Sequence, residues 1–208
     1  GTTSATYSSG EHNTVVGYAA LDAFTTGHTN IAIGSGAGGA ITTGYKNVIL
    51  AGAPSMTTGY ENVVVGYGAG NSWGSAPDRN TAVGYYALSG NLSSDGNVGI
   101  GYYAGAGLTS GGNSVFIGYQ AGLAKTTSGD DVYVGYFSGK SITVGRQNVA
   151  VGYATLDAAV EDSANVAIGY NALTAQNAGG SDGGASETYN TATVSYTHLR
   201  AHETVLDL

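Results

Sequence analysis

Few residues in this 208-residue chain could carry chemistry. Cysteine is absent, which excludes thiolate nucleophiles, disulfides and thiolate metal sites. Acids stand in adjacent pairs at Asp130-Asp131 and Glu161-Asp162, and Asp182 lies in the glycine run 179–184. As glycosidase carboxylates they would have to project from one cleft, and nothing in their spacing places them there. As calcium ligands they lack the ordered acidic spacing of a calcium loop. Solvated turn residues are the preferred account. His198 and His202, four apart with Glu203 adjacent, have the spacing of a helical metal site, but they lie in a terminal segment unlike the rest of the chain. His12 and His28 are isolated and read as turn residues. No serine has a histidine and an acid in a recognisable setting. No catalytic, cofactor-binding or metal-ligating residue is therefore assigned, and the chain reads as a non-enzyme.

What the sequence does contain is a repeat. Asn13, Asn30, Asn47, Asn62, Asn80, Asn97, Ser114, Asp131, Asn148 and Asn165 each open a copy, and Asn190 opens an eleventh. Seven of the ten spacings are 17 residues; the others are 15, 18 and 25. A short fixed period marks a solenoid, in which no repeat buries its apolar face without its neighbours.

Numbering places from the opening residue, the second and fourth hold β-branched or apolar residues throughout, such as Val98 and Ile100. That period of two is a strand pattern, and these places are expected to fill the core. The third place is also small or apolar (Val15, Ala32, Ile49, Val64, Ala82, Gly99, Phe116, Tyr133, Ala150, Ala167). Strands covered on both faces read this way. The opposite face of a slim solenoid is then expected to be buried against other copies of the chain, with the third place at the contact.

Gly holds the fifth place in nine of ten copies, with Ala51 the exception, and is expected to turn the chain. Tyr18, Tyr67, Tyr85, Tyr102, Tyr119, Tyr136, Tyr153 and Tyr170 hold the sixth, where stacked coils would set the rings into a ladder. Two readings of that ladder stand together. One is a carbohydrate-binding strip that makes Tyr67, Tyr85, Tyr102, Tyr119, Tyr136, Tyr153 and Tyr170 candidate receptor-facing aromatics; the other, preferred, is packing between coils. Ala at the eighth place marks an inward corner. Runs such as Ile41-Thr42-Thr43-Gly44 predict a second short strand and a turn before the next Asn. The Asn residues themselves (Asn13, Asn30, Asn47, Asn62, Asn80, Asn97, Asn148, Asn165) are read as a structural ladder whose side-chain amides cap turns and bond to the coils above and below. The Thr pairs raise the comparison with a flat ice-binding face, but interruptions such as Ser93-Ser94 and Glu161-Asp162 break that row.

Charged residues make up 10% of the chain, with 6 basic and 14 acidic and a net charge of -8. Nucleic acid and anionic membrane both require a basic footprint, so neither is an expected partner. No apolar run approaches the roughly 20 residues of a membrane helix. Residues 1–12 are expected to be a partial coil or cap, 13–193 the repeat domain with a Gly-rich insertion at 175–189, and 194–208 a non-native tail. Its stretch Val194-Ser195-Tyr196-Thr197-His198-Leu199 resembles translated sequencing-adapter sequence.

Asn-x-Ala/Val-Val/Ile-Gly-Tyr-x-Ala-Gly/Leu followed by Thr-Thr-Gly resembles the repeats of phage tail-fibre and bacterial surface-fibre proteins. It is also similar to the Ala-Val-Ala-Ile-Gly repeats of trimeric autotransporter adhesin heads. The resemblance spans residues 13–193. It implies an all-β parallel β-roll of about ten 17-residue coils, left-handed as in the adhesin heads and homotrimeric. The expected role is a structural or adhesive shaft or head segment, extracellular on a virion or bacterial surface, with a cell-surface glycan or receptor as candidate partner and no cofactor. The alternative is a monomeric β-solenoid binding module for ice or carbohydrate.

Overall fold

The computed structural model describes residues 10–74, 76–127, 129–174 and 186–193. Residues 1–9, the stretch 175–185 with Asp182, and the tail 194–208 with His198, His202 and Glu203 lie outside them. Thirteen strands occur among the described residues: β1 (Thr14–Val16), β2 (Ile31–Ile33), β3 (Val48–Leu50), β4 (Val63–Val65), β5 (Thr81–Val83), β6 (Val98–Ile100), β7 (Val115–Ile117), β8 (Val132–Val134), β9 (Val149–Val151), β10 (Asp162–Ser163), β11 (Val166–Ile168), β12 (Ser186–Glu187) and β13 (Thr191–Ala192).

Eleven of these form one sheet in the order β1-β2-β3-β4-β5-β6-β7-β8-β9-β11-β13. Every pairing is parallel and joins like places: Val98 lies opposite Val115, Gly99 opposite Phe116, and Ile100 opposite Ile117. The chain is an all-β parallel β-solenoid, each strand occupying places two to four of its repeat. Three residues suffice because the next coil supplies the partner strand, and β-branched side chains fit the pleat.

The strands face the other way from the sequence expectation. The third place is the core: Ala32, Ile49, Val64, Ala82, Phe116, Tyr133, Ala150 and Ala167 have no exposed surface. The second and fourth places point outward, and Val16, Ile33, Val63, Ile100 and Ile168 are exposed. A period of two says that the faces alternate but not which one is inside. The Asn side chains settle the parity. Asn97 at place one is fully buried, so place three, two residues on, must also point inward.

Among the described residues the predicted second strand is also absent from most coils. Its residues reach a single carbonyl of the next coil, as Thr42 N–H does Thr57 O at 2.8 Å, or as Thr109 and Ser110 N–H share Thr126 O at 2.9 and 3.3 Å. One acceptor per turn is too few for a ladder, and among the described residues only β10 and β12 pair on that side. Ile41, Met56, Trp73, Leu92, Leu108 and Ile142 nevertheless point inward from this arm and close the core against place three and the buried alanines Ala37, Ala69, Ala87, Ala104, Ala121 and Ala172.

Glycine turns the chain after each strand. Gly84 has φ +130, and a Cβ there would stand 2.6 Å from the carbonyl oxygen of Gly101 in the next coil. Both backbone conformation and close stacking demand glycine. At Ala51 the chain instead takes φ 59, in the shortened 15-residue coil that has no tyrosine at its corner.

Candidate functional site

The Asn ladder starts from a backbone feature the sequence did not announce. The residue before each ladder position is left-handed: Lys46, Glu61, Arg79, Asn113, Gln147 and Ala164 have φ between 54 and 61. This kink belongs to chemically unrelated side chains, so no residue type signals it. It is followed by the inward-pointing Asn. Asn47 N–H donates to Asn30 Oδ1 at 3.0 Å, and its Nδ2 donates to the same oxygen at 3.0 Å and to Gly59 O at 2.8 Å. The pattern recurs at Asn30, Asn62, Asn80, Asn148 and Asn165. Asn13 accepts from Asn30 at the exposed first described coil. Each amide oxygen therefore satisfies a buried N–H of the next coil, and the Nδ2 of Asn30, Asn47, Asn62, Asn80 and Asn148 donates to a carbonyl of the following turn, while those of Asn97 and Asn165 turn back to Asp95 O and Ser163 O.

Outside the sheet the Val/Ile rows of places two and four run beside the Tyr ladder. Tyr67, Tyr85, Tyr102, Tyr119, Tyr136, Tyr153 and Tyr170 form one unbroken stack. Tyr102 and Tyr119 have centroids 4.9 Å apart with planes 5° from parallel. Each inner ring is covered on both faces by its neighbours, leaving edges and hydroxyls outward; a sugar ring stacks on an aromatic face, so only a terminal ring offers one. Tyr18 stands apart, because the next coil has Ser35 and the following one has no tyrosine at that place. A second row, missed in the sequence although Tyr85-Tyr86 and Tyr102-Tyr103 mark it, sets Tyr86 parallel to Tyr103 at 5.3 Å and edge-on to the main stack.

The acidic pairs do not converge. Asp130 is exposed while Asp131 is buried, and Glu161 is half-buried beside buried Asp162. No group of three His, Cys, Asp or Glu suited to a metal occurs among the described residues. His12 is exposed next to Glu11, and His28 stacks on Tyr45 at 5.1 Å. The first Thr of a pair turns its hydroxyl to the neighbouring coil, Thr25 donating to Thr42 O at 3.0 Å and Thr126 to Thr143 O at 3.3 Å, while the second, as at Thr26, Thr43 and Thr58, is exposed.

One charged pair is in the core. Lys125 Nζ lies 2.7 Å from Asp131 Oδ2, and both side chains are fully buried. Lys125 also donates to Gly145 O. Burial pushes the Lys125 ammonium down and the Asp131 carboxyl up, each opposed by the attraction between them. Burial likewise pushes the hydroxyl of Tyr133 well above its ordinary value. The signal was in the sequence: Lys125 stands where Ile41, Met56, Leu108 and Ile142 stand elsewhere, and Asp131 replaces Asn in the following coil.

The fold and these ladders define a parallel β-solenoid repeat protein. Comparison of the chain with protein-family models, curated proteins and solved structures finds no match in any of the three.

Proposed function

We propose that this chain is a structural segment of a homotrimeric extracellular fibre, a rigid shaft or head piece of the phage tail-fibre or bacterial adhesin kind, without catalysis. The observation that carries the reading is the outward strip of places two, four and six. From Asn13 to Tyr170 none of the chain's charged residues falls on it, and every coil presents valine, isoleucine, leucine, threonine or tyrosine there. Large continuous apolar surfaces are docking sites. A partner that follows this strip over its whole length must repeat with the same axial step, and a parallel copy of the chain does so. Chains carrying -8 each repel elsewhere, so an uncharged strip is where copies can meet.

The contact therefore runs along the Val/Ile rows, with the Tyr stack at its margin, rather than along place three. The loops and the remaining surface face outward and would offer any glycan or receptor site. A monomeric ice- or sugar-binding solenoid is disfavoured by the interruptions of the Thr row at Ser93-Ser94 and Glu161-Asp162 and by the mutually covered ring faces. Sedimentation or mass photometry of the purified chain tests the assembly: a trimer supports the reading, and a stable, soluble monomer at micromolar concentration overturns it.

A further inference from the structure

Three exceptions to the repeat meet in one place. Lys125 is a lysine at an apolar core position, Asp131 an acid in the Asn ladder, and Tyr133 a hydroxyl-bearing ring where the other described coils carry alkyl, glycyl or phenyl groups. We propose that Lys125 and Asp131 condense into an amide, an intramolecular isopeptide bond that staples the coil opened by Ser114 to the next. This stands independently of the fibre reading.

The geometry supplies the reactants. The nitrogen and the carboxyl oxygen are 2.7 Å apart in a fully buried setting, and such fixed contact is worth effective concentrations up to about 10⁵–10⁸ M. A buried ion pair carries a desolvation cost that its Coulomb attraction often fails to repay. Proton transfer from the ammonium to Asp131 Oδ2 gives the neutral amine and acid, the forms that burial favours on both residues. The Lys125 nitrogen then attacks Asp131 Cγ. The Nζ–Cγ bond forms, the Cγ–Oδ2 bond breaks, and one hydrogen leaves nitrogen for the departing oxygen, which is lost as water. No oxidant, metal or cofactor enters the balance. The Tyr133 hydroxyl interacts with the same carboxyl, and both it and Asp131 Oδ2 are buried without a well-aligned hydrogen bond, so it is positioned to relay that hydrogen. Asn148 N–H holds the other carboxyl oxygen at 2.9 Å, where it stabilises the oxyanion of the tetrahedral intermediate. The product is a neutral amide in place of two desolvated charges.

Mass spectrometry of the intact folded chain reads the outcome directly. The expected mass is one water below that of the sequence. Trypsin cannot cleave after an acylated lysine, so residues 80–140 emerge as one peptide closed into an internal loop, with fragments placing the link between Lys125 and Asp131. The unmodified mass, with separate peptides 80–125 and 126–140, overturns the proposal. So does water loss at the Asp95-Gly96 step as a succinimide, which leaves cleavage after Lys125 intact. Lys125→Arg is expected to retain the full mass. Tyr133→Phe keeps the ion pair and is expected to slow accumulation of the lighter species at least tenfold; an unchanged rate overturns the relay.

Discussion

The backbone amide of Asn97 donates to the side-chain oxygen of Asn80 at 2.8 Å, and Ser114 N–H donates in turn to Asn97 Oδ1 at 3.1 Å. The ladder thus tests whether each coil is held by its predecessor. Asn97→Ala strands the buried Ser114 amide, and is expected to cost about 1–3 kcal/mol in urea unfolding. Asn97→Ser retains an acceptor, as Ser114 does for Asp131 N–H at 3.3 Å, and is expected to cost less than Asn97→Ala.

Gly84→Ala is expected to destabilise beyond ordinary helix or strand propensities. The backbone conformation alone costs on the order of 1–3 kcal/mol, and the close approach to Gly101 O adds to it. Gly36 is the contrast: its φ is +69, and a Cβ added there would meet no atom within 4 Å. Gly36→Ala is expected to cost less in the same thermal melt, and equal losses would refute the stacking argument.

Lys125→Ile leaves the Asp131 carboxylate alone in the core, and relative to Lys125→Ile with Asp131→Asn is expected to lose about 3–5 kcal/mol at neutral pH. The sign with pH follows from the raised Asp131 carboxyl. Its folded state takes up a proton more readily than the unfolded chain, so the single variant should gain stability relative to the double as pH falls through the raised value toward the ordinary carboxylate range. A pH-independent difference would contradict burial as the cause.

Much of this was legible in the sequence, for definite reasons. Strand positions followed from β-branched alternation, and the corners from glycine, because both are residue-type requirements repeated in register. The facing of Val98 and Gly99 was not, since both alternating positions are apolar and only the inward Asn97 breaks the symmetry. The left-handed kink before each Asn was hidden because Lys46, Glu61 and Arg79 share a conformation and no chemistry. Lys125 and Asp131 were readable only as paired departures in consecutive coils. The acidic pair Asp130-Asp131 misled, because neighbouring residues here point to opposite sides.

Charges placed on the outward strip test the proposed assembly without disturbing the coil. Ile117→Lys with Val134→Lys leaves the core face and the Asn ladder untouched, and both sites are only half-buried. The expected outcome is a folded monomer with an unchanged β-type circular dichroism spectrum and loss of the trimer in sedimentation. A trimer that persists would move the interface elsewhere.

The 15-residue coil from Asn47 and the 18-residue coil from Asn62 keep the same strand register as their neighbours, Val48 opposite Val63 and Val63 opposite Thr81. Irregular lengths are absorbed at the corners while the sheet continues. Whole periods can therefore be added or removed with the sheet register kept, provided that Lys125 and Asp131 stay in consecutive coils. The reach of such a molecule is a countable quantity, changed in increments of about 4.8 Å per coil.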